Sequence, residues 1–198
     1  DGVVNIITGH GDPCGRALTS HPNVARVSFT GGPASAGNVI RNTAENFAEL
    51  SLELGGKSPF IVFDDADIDS AVNGSVAGIF AASGQSCVAG SRLYLHEAIA
   101  DRFLEKMTGI AKSIRIGDPQ EDDTQMGPLC TEAQIRHIEA QLARAVEQGA
   151  RIIAGGSRVS DRDGLFFQPT IIECPDPAMD IVDTELFGPV LAVLRFSD

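Results

Sequence analysis

Short apolar runs of strand type alternate with helical patterns along almost the whole chain, and this alternation limits the fold more than any other feature. The runs predicted to be strands lie at residues 3–8, 24–30, 50–54, 58–63, 93–96, 151–154, 166–173 and 189–196. Helical spacing separates several of them, for instance over residues 34–47 and 98–114. Because parallel strands need crossover helices between them, this order predicts an α/β fold with largely parallel sheets.

Two of the predicted strands carry a more specific expectation. The run at residues 3–8, Val-Val-Asn-Ile-Ile-Thr, is typical of a short buried strand. The run at residues 166–173 is interrupted by Pro169. Since proline cannot donate to a strand ladder, this strand is predicted to lie at an edge of its sheet.

A capping box opens one of the predicted helices. The stretch Thr131-Glu-Ala-Gln134 matches the pattern in which the first side chain caps the helix and the fourth reaches back. Gly149 is predicted to end this helix. Its apolar positions should face inward, namely Ile135, Ile138, Leu142 and Val146.

The charge of the chain restricts its partners. A net charge of −12 over 198 residues argues against nucleic acid and against anionic membrane surfaces. Between residues 13 and 44 there is no acidic residue, only Arg16, Arg26 and Arg41, so this segment can accept an anionic ligand with less repulsion than the rest. No apolar run approaches the length of a membrane span.

The four cysteines, spread without a C-x-x-C pair, favour a reducing, cytoplasmic setting over a zinc ribbon or a disulfide framework. The chain begins Asp-Gly-Val-Val, with no methionine and no basic leader, and a strand pattern follows almost at once. We therefore expect it to be a piece of a longer protein.

Two glycine-rich turns lie between predicted strands and helices near the start of the chain. Gly9-x-Gly11-x-x-x-Gly15 departs by one residue from the dinucleotide fingerprint, which favours an ordinary tight turn. Phe29-Thr-Gly31-Gly32 precedes a helix and offers free backbone N–H groups beside a positive helix end. For this second turn, a phosphate site and a plain strand-to-helix turn both remain open.

One cysteine lies in a loop of small residues, Phe80-Ala-Ala-Ser-Gly-Gln-Ser-Cys87-Val-Ala-Gly-Ser-Arg92. Small neighbours let a substrate approach the sulfur, as a nucleophile requires. A lone cysteine is more often structural, so the loop alone does not decide between the two roles.

Two carboxylates could take part in chemistry. Glu53, at the end of an apolar strand, is either an exposed strand-end acid or a partly desolvated general base with a raised pKa. Glu185 is either an exposed loop acid or a hydrogen-bond partner for ligand hydroxyls.

Four stretches together resemble the aldehyde dehydrogenase superfamily, in the order that the family has them. They are Phe29-Thr-Gly-Gly, Leu52-Glu-Leu-Gly-Gly-Lys-Ser-Pro59, Gly84-Gln-Ser-Cys87 and Glu185-Leu-Phe-Gly-Pro189. The second and third are specific, and the similarity runs through essentially the whole chain. The resemblance implies the end of a Rossmann-like cofactor domain over residues 1–54 and an α/β catalytic domain, incomplete at its C-terminal end, over residues 55–198.

The resemblance also implies the chemistry. Cys87 would attack an aldehyde to form a thiohemiacetal, which yields hydride to NAD or NADP and becomes a thioester. Glu53 would then activate the water that releases a carboxylic acid. Relatives that transfer the acyl group to coenzyme A tend to lack this glutamate, so the hydrolytic type is implied.

Cofactor contacts are carried over in the same way. The glycines of Phe29-Thr-Gly-Gly and the helix behind them would face the phosphates, Glu185 would hold the nicotinamide ribose, and Phe187 would pack by the nicotinamide. Gln134 would either touch a ribose or only complete the capping box. The positions implied to contact the cofactor are Gly9, Phe29, Gly31, Gly32, Ala36, Leu54, Gly55, Gln134, Glu185 and Phe187.

Members of this family are more than twice as long as this chain. The resemblance implies that an asparagine of the oxyanion hole and the groups that bind the adenosine ribose precede residue 1. It also implies that the oligomerisation strand and the last substrate-lining loops follow residue 198. We expect the longer protein to be a homo-oligomer, a dimer or tetramer, acting on a small aldehyde, and we expect this piece alone to be inactive.

Two other functions remain as alternatives. A cysteine acyl-transferase or esterase would use Cys87 and Glu53 without a nicotinamide cofactor, although no Cys–His spacing supports it. A folded piece with no chemistry of its own is the other.

Overall fold

The computed structural model describes residues 2–197, which form two compact units, one up to Gly55 and one from Gly56 onward. The first unit contains a two-stranded sheet and the second a five-stranded sheet. Among the helices of residues 2–197, none is both long and apolar enough to cross a membrane.

The first unit is a parallel strand pair joined by a helix. Its elements are, in order, a helical turn (Gly11–Gly15), α1 (Arg16–Thr19), β1 (Arg26–Gly31), α2 (Pro33–Thr43) and β2 (Glu49–Leu54). Proline suits the first position of α2 because no intrahelical partner is needed there. The helix ends before the predicted residue 47, where Phe47 has a left-handed φ of 57° that a helix cannot continue through.

The prediction of a buried strand at residues 3–8 is wrong. These residues form no strand, and the apolar side chains of Val3, Val4, Ile6 and Ile7 are between 69% and 92% exposed. A strand is stabilised by ladder hydrogen bonds to a neighbour. Within residues 2–55, β1 and β2 pair with each other and with no third strand, so the segment gains no ladder.

The second unit is a five-stranded sheet with helices on both faces. Its elements are β3 (Pro59–Val62), α3 (Ile68–Phe80), a helical turn (Ala81–Gly84), β4 (Arg92–His96), α4 (Glu97–Ser113), α5 (Glu132–Glu147), β5 (Arg151–Ala154), β6 (Thr170–Glu173), α6 (Asp180–Asp183) and β7 (Val190–Phe196). The strand order is β3-β4-β7-β6-β5, and all neighbours are parallel except β5 and β6. The predicted α/β fold with largely parallel sheets is confirmed.

Alternate residues of the central strands enter two separate cores. Leu93 and Val193 join α3 and α4 on one face, whereas Ala192 and Leu194 join α5 on the other. A parallel sheet covered on both faces needs apolar residues at nearly every strand position, which explains the continuous apolar runs in the sequence.

Two positional predictions for this unit are wrong. Pro169 lies just before β6, outside the ladder, and β6 lies between β7 and β5, so the edge strands of this sheet are β3 and β5. In α5, Val146 is 48% exposed and Ala145 takes the buried position instead. The next buried position after Leu142 is therefore three residues further along the helix, not four.

Candidate active site

The chain turns sharply just before Cys87. Ala82, Ser83 and Gly84 have left-handed φ values of 49°, 56° and 69°, directly after α3 ends at Phe80. Residues with a side chain seldom adopt this conformation. At Ala82 and Ser83 it costs on the order of 1 kcal/mol or more each. The turn leads into a loop in which Cys87 is exposed with a free thiol. The structure therefore places the predicted nucleophile where a substrate can reach it.

Side-chain hydrogen bonds fix this loop to another segment of the second unit. Ser83 Oγ donates to the carbonyl of Gly127 at 2.8 Å. Gln85 Oε1 accepts from the backbone N–H of Cys130 at 2.9 Å. Neither Ser83 nor Gln85 was assigned a role from the sequence, although a glutamine among small residues was a visible signal. The two bonds hold both sides of the strained turn.

A third contact joins two backbones without any side chain. A Cβ atom on Gly84 would lie 2.1 Å from the carbonyl oxygen of Gly188. Only glycine permits this approach, because that distance is far inside van der Waals contact and the φ of 69° disfavours a side chain. The turn before Cys87 is thus locked against the segment that carries Glu185 and Phe187.

We expect Gly84→Ala to lower the free energy of unfolding by about 3 kcal/mol, through overpacking and backbone strain. Urea denaturation of the variant measures this loss. Gly109→Ala is the matched control, since Gly109 lies within α4 with no atom near the added methyl group, and it should stabilise by about 0.5–1 kcal/mol. Equal stability of the two variants would contradict the backbone lock.

In the segment from Glu185 to Phe187, the middle residue is held in place and its two neighbours, Glu185 and Phe187, flank it. Leu186 is buried, and its carbonyl accepts a hydrogen bond from Gln134 Nε2. Phe187 has a left-handed φ of 48° and is 41% exposed. On its other side, Glu185 Oε1 accepts from the backbone N–H of Gly56 at 3.2 Å. The held residue, Leu186, therefore fixes where Glu185 and Phe187 point.

Only one of the two hydrogen bonds of the predicted capping box forms at the start of α5. The hydroxyl of Thr131 accepts from the backbone N–H of Gln134 at 3.2 Å, as predicted. The Gln134 side chain reaches Leu186 instead of returning to Thr131. The sequence pattern could not show this, because the competing acceptor lies 52 residues further along the chain.

Gly56 lies next to both the cysteine loop and the Glu185 segment. A Cβ atom on Gly56 would lie 3.7 Å from the carbonyl oxygen of Cys87, so the backbones of the two residues are neighbours. The same glycine donates its N–H to Glu185. Within the second unit, the cysteine loop and the Glu185 segment therefore meet at one residue.

The first unit holds the remaining predicted positions. Glu53 pairs in register with Thr30, near the carboxyl ends of β2 and β1, and its side chain is exposed. Leu54 and Gly55 follow it and are also exposed. Gly9 approaches Cys14 so closely that a Cβ atom would lie 2.6 Å from the cysteine Cβ. This close packing agrees with the tight-turn interpretation of the first glycine-rich stretch.

The second glycine-rich turn ends at a helix N-terminus. Gly32 caps α2, and the first intrahelical bond runs from the Ala36 N–H to the Gly32 carbonyl at 3.0 Å. The N–H groups of Ala34 and Ser35 precede that bond, and both residues are exposed. Ala36 itself is buried with its N–H engaged, so it supports the turn and offers no free donor.

A cavity of about 550 Å³ opens beside this turn, and its lining includes Arg16, Phe29, Ser35 and Asn38. The Phe29 ring packs across Gly31, where a Cβ atom would lie 2.7 Å from the ring. A cation, the carboxylate of Asp12, an aromatic face and a free helix end therefore share one cavity of the first unit. Arg16 and Asn38 are not among the cofactor contacts that the resemblance implies.

Comparison with known proteins identifies the family. The family model described as "Aldehyde dehydrogenase family" matches residues 1–198. The chain belongs to the aldehyde dehydrogenase family. It is 53% identical over 197 residues to (Z)-2-((N-methylformamido)methylene)-5-hydroxybutyrolactone dehydrogenase of Acinetobacter baylyi, covering 99% of this chain and 40% of that protein. Against succinate-semialdehyde dehydrogenase [NADP(+)] GabD of Escherichia coli, the identity is 41%, over 100% of this chain and 41% of the other.

Solved structures share the fold. PnpE in complex with nicotinamide adenine dinucleotide superposes with a TM-score of 0.97 at 42% identity, over 100% of this chain and 41% of PnpE. A putative aldehyde dehydrogenase from Burkholderia cenocepacia gives the same TM-score at 43% identity, with the same coverage of each chain. The chain thus spans about two fifths of the length of the aldehyde dehydrogenases that it matches.

Proposed function

We propose that this chain supplies the nucleophile, the general base and part of the cofactor site of an NAD- or NADP-dependent aldehyde dehydrogenase that releases a carboxylic acid. The observation that carries the proposal is the exposed Cys87 thiol in a strained loop locked against the segment of Glu185 and Phe187. Residues 1–54 then belong to a cofactor domain and residues 55–198 to a catalytic domain.

In the proposed reaction, the Cys87 thiolate adds to the aldehyde carbon, and the sulfur holds the product acyl group as a thioester. A bound nicotinamide supplies the acceptor for the hydride that leaves the thiohemiacetal carbon. Glu53 accepts a proton from water, and the resulting hydroxide attacks the thioester, releasing the acid and the thiolate. The exposure of Glu53 leaves it free to meet water.

The first unit fits the phosphates of a dinucleotide. The free N–H groups of Ala34 and Ser35 and the positive end of α2 favour an anion there. Arg16 lines the same cavity and offsets the carboxylate of Asp12, which also lines it. Among relatives, PnpE was solved with nicotinamide adenine dinucleotide and the name of GabD specifies NADP(+). We therefore place the phosphates at Gly31 and Gly32, with Gly9, Phe29, Ala36, Leu54 and Gly55 shaping the site.

The remaining cofactor contacts belong to the second unit. The carboxylate of Glu185 accepts from ribose hydroxyls, and the half-exposed ring of Phe187 packs against the nicotinamide. Gln134 contributes mainly by fixing Leu186 between them, and its amide can reach a ribose only with the N–H that Leu186 does not use.

We also propose that the longer protein is a cytoplasmic homo-oligomer, a dimer or tetramer, that acts on a small aldehyde. Four free cysteines suit a reducing compartment. Neither nucleic acid nor a membrane surface is expected as a partner, because the net charge is −12.

The protein at the length of its relatives is expected to reduce NAD+ or NADP+ when an aldehyde is added, followed by absorbance of the reduced cofactor. The 198-residue chain alone is expected to show no such activity. Losing one oxyanion donor costs on the order of 10²–10³ in rate, and an incomplete dinucleotide fold binds cofactor poorly. Activity of the short chain that Cys87→Ser removes would overturn its proposed inactivity. Ester hydrolysis without any response to NAD+ would instead favour a cysteine acyl-transferase or esterase.

A further inference from the structure

Lys57 carries an amine that the proposed reaction does not use. Its Nζ atom is shielded from solvent and makes no hydrogen bond within the described chain. The backbone around it is held, since Arg92 Nε donates to the Lys57 carbonyl at 2.7 Å. A shielded ammonium without a direct partner is costly, so its position calls for a compensating charge.

The ionisable groups that act electrostatically on this amine come from three segments. They are Cys174 after β6, Arg92 at the start of β4, and Asp183 and Glu185 around the end of α6. Burial lowers the pKa of Lys57 to about 8; Cys174, Glu185 and Asp183 act to raise it, and Arg92 acts to lower it.

Only one of these groups is left to balance the ammonium at neutral pH. Burial raises the pKa of the Cys174 thiol to about 11, so the thiol is uncharged. Asp183 already lies 3.6 Å from the Arg92 guanidinium. Glu185 has a neutral backbone donor, the N–H of Gly56, as its partner within the second unit. The ammonium of Lys57 and the carboxylate of Glu185 therefore complement each other.

We propose that Lys57 is a positioning residue for Glu185, which its positive charge holds in place so that the carboxylate can accept from the hydroxyls of a ribose. Gly56 and Lys57 are consecutive, so one short segment supplies both an N–H for Oε1 and a positive charge. The second carboxylate oxygen is left for the ligand. This inference rests on the proposed function, in which Glu185 holds the nicotinamide ribose.

The proposal has a pH signature. Below a pH of about 8 the Lys57 amine is charged and attracts the Glu185 carboxylate. Above that pH the amine loses its proton, and this attraction is lost. The affinity of the longer protein for NAD+ is therefore expected to fall as the pH rises through about 8. This measurement needs no variant, and a constant affinity across that range would contradict the proposal.

The test with variants measures the Kd for NAD+ in the longer protein for Lys57→Met, Glu185→Gln and the double variant. Lys57→Met should weaken binding roughly tenfold near pH 7 and remove the pH dependence, because it keeps the length and loses the charge. The double variant should bind no more weakly than Glu185→Gln, since Lys57 acts through that residue. Lys112→Met, at an exposed position in the last turn of α4, is the matched control and should change neither quantity.

The outcomes separate this inference from the proposed function. If Glu185→Gln leaves the Kd unchanged, the ribose role of Glu185 fails, and the positioning role fails with it. If Glu185→Gln weakens binding while Lys57→Met does not, or if the two effects add, only the role of Lys57 is overturned.

Discussion

Replacing Cys87 by serine is expected to abolish aldehyde oxidation by the longer protein, with a loss of roughly 10⁴-fold or more in kcat. A serine hydroxyl keeps nearly the same shape but is far less acidic than a thiol, so it forms no useful nucleophile in this loop. The rate of cofactor reduction under saturating aldehyde measures the loss. Binding of NAD+ should be unchanged, because the sulfur is not part of the cofactor site.

Cys130→Ser is the matched control for that experiment. Cys130 is exposed like Cys87, and its backbone N–H, which the substitution leaves intact, is the group that binds Gln85. Full activity of Cys87→Ser, or an equal loss in Cys130→Ser, would contradict the assignment of the nucleophile. Alkylation by iodoacetamide should also label Cys87 much faster than the buried Cys174.

Glu53→Gln is expected to stop the reaction after its first half. The Cys87 thioester still forms, so a burst of reduced cofactor close to one per active site should appear, followed by a steady rate lowered by roughly 10²–10⁴. Glutamine keeps the size of the side chain and cannot accept the proton from water. Rapid-mixing absorbance resolves the burst from the steady phase.

Glu49→Gln tests whether the effect belongs to position 53. Glu49 lies at the other end of β2, is exposed, and pairs only loosely with Arg26 at 3.8 Å. It should retain both phases of the reaction. A Glu53→Gln variant that loses the burst as well as the steady rate would show that Glu53 acts before the thioester forms.

The order of strands and helices was predictable because it depends on local spacing. Helix α3 illustrates this, since Ile68, Val72 and Ile79 are buried at the spacing seen in the sequence and Asp67 caps its first turn through the Ser70 N–H. Two of the errors arose where a distant partner decides the outcome. Residues 3–8 have no neighbouring strand within the described residues 2–197, and the position of β6 in the sheet depends on which strand pairs beside it.

The candidate site shows the same division. The exposed loop of Cys87 was predictable from its small residues, and the resemblance supplied the roles of Glu53 and Glu185. The contacts that hold the site were not predictable, because Gln85 binds a residue 45 positions away and Gly56 binds one 129 positions away. Lys57 stood inside a recognised motif, yet only burial reveals its unusual amine.

The contact between Gly84 and Gly188 fixes the backbone of the cysteine loop without using a side chain. Because backbone atoms make this contact, it does not depend on which side chain follows Cys87. Val88, adjacent to Cys87 and 77% exposed, takes no part in the contact. Among proteins that share the loop, we therefore expect preference for one aldehyde over another to diverge while the proposed nucleophile stays in place.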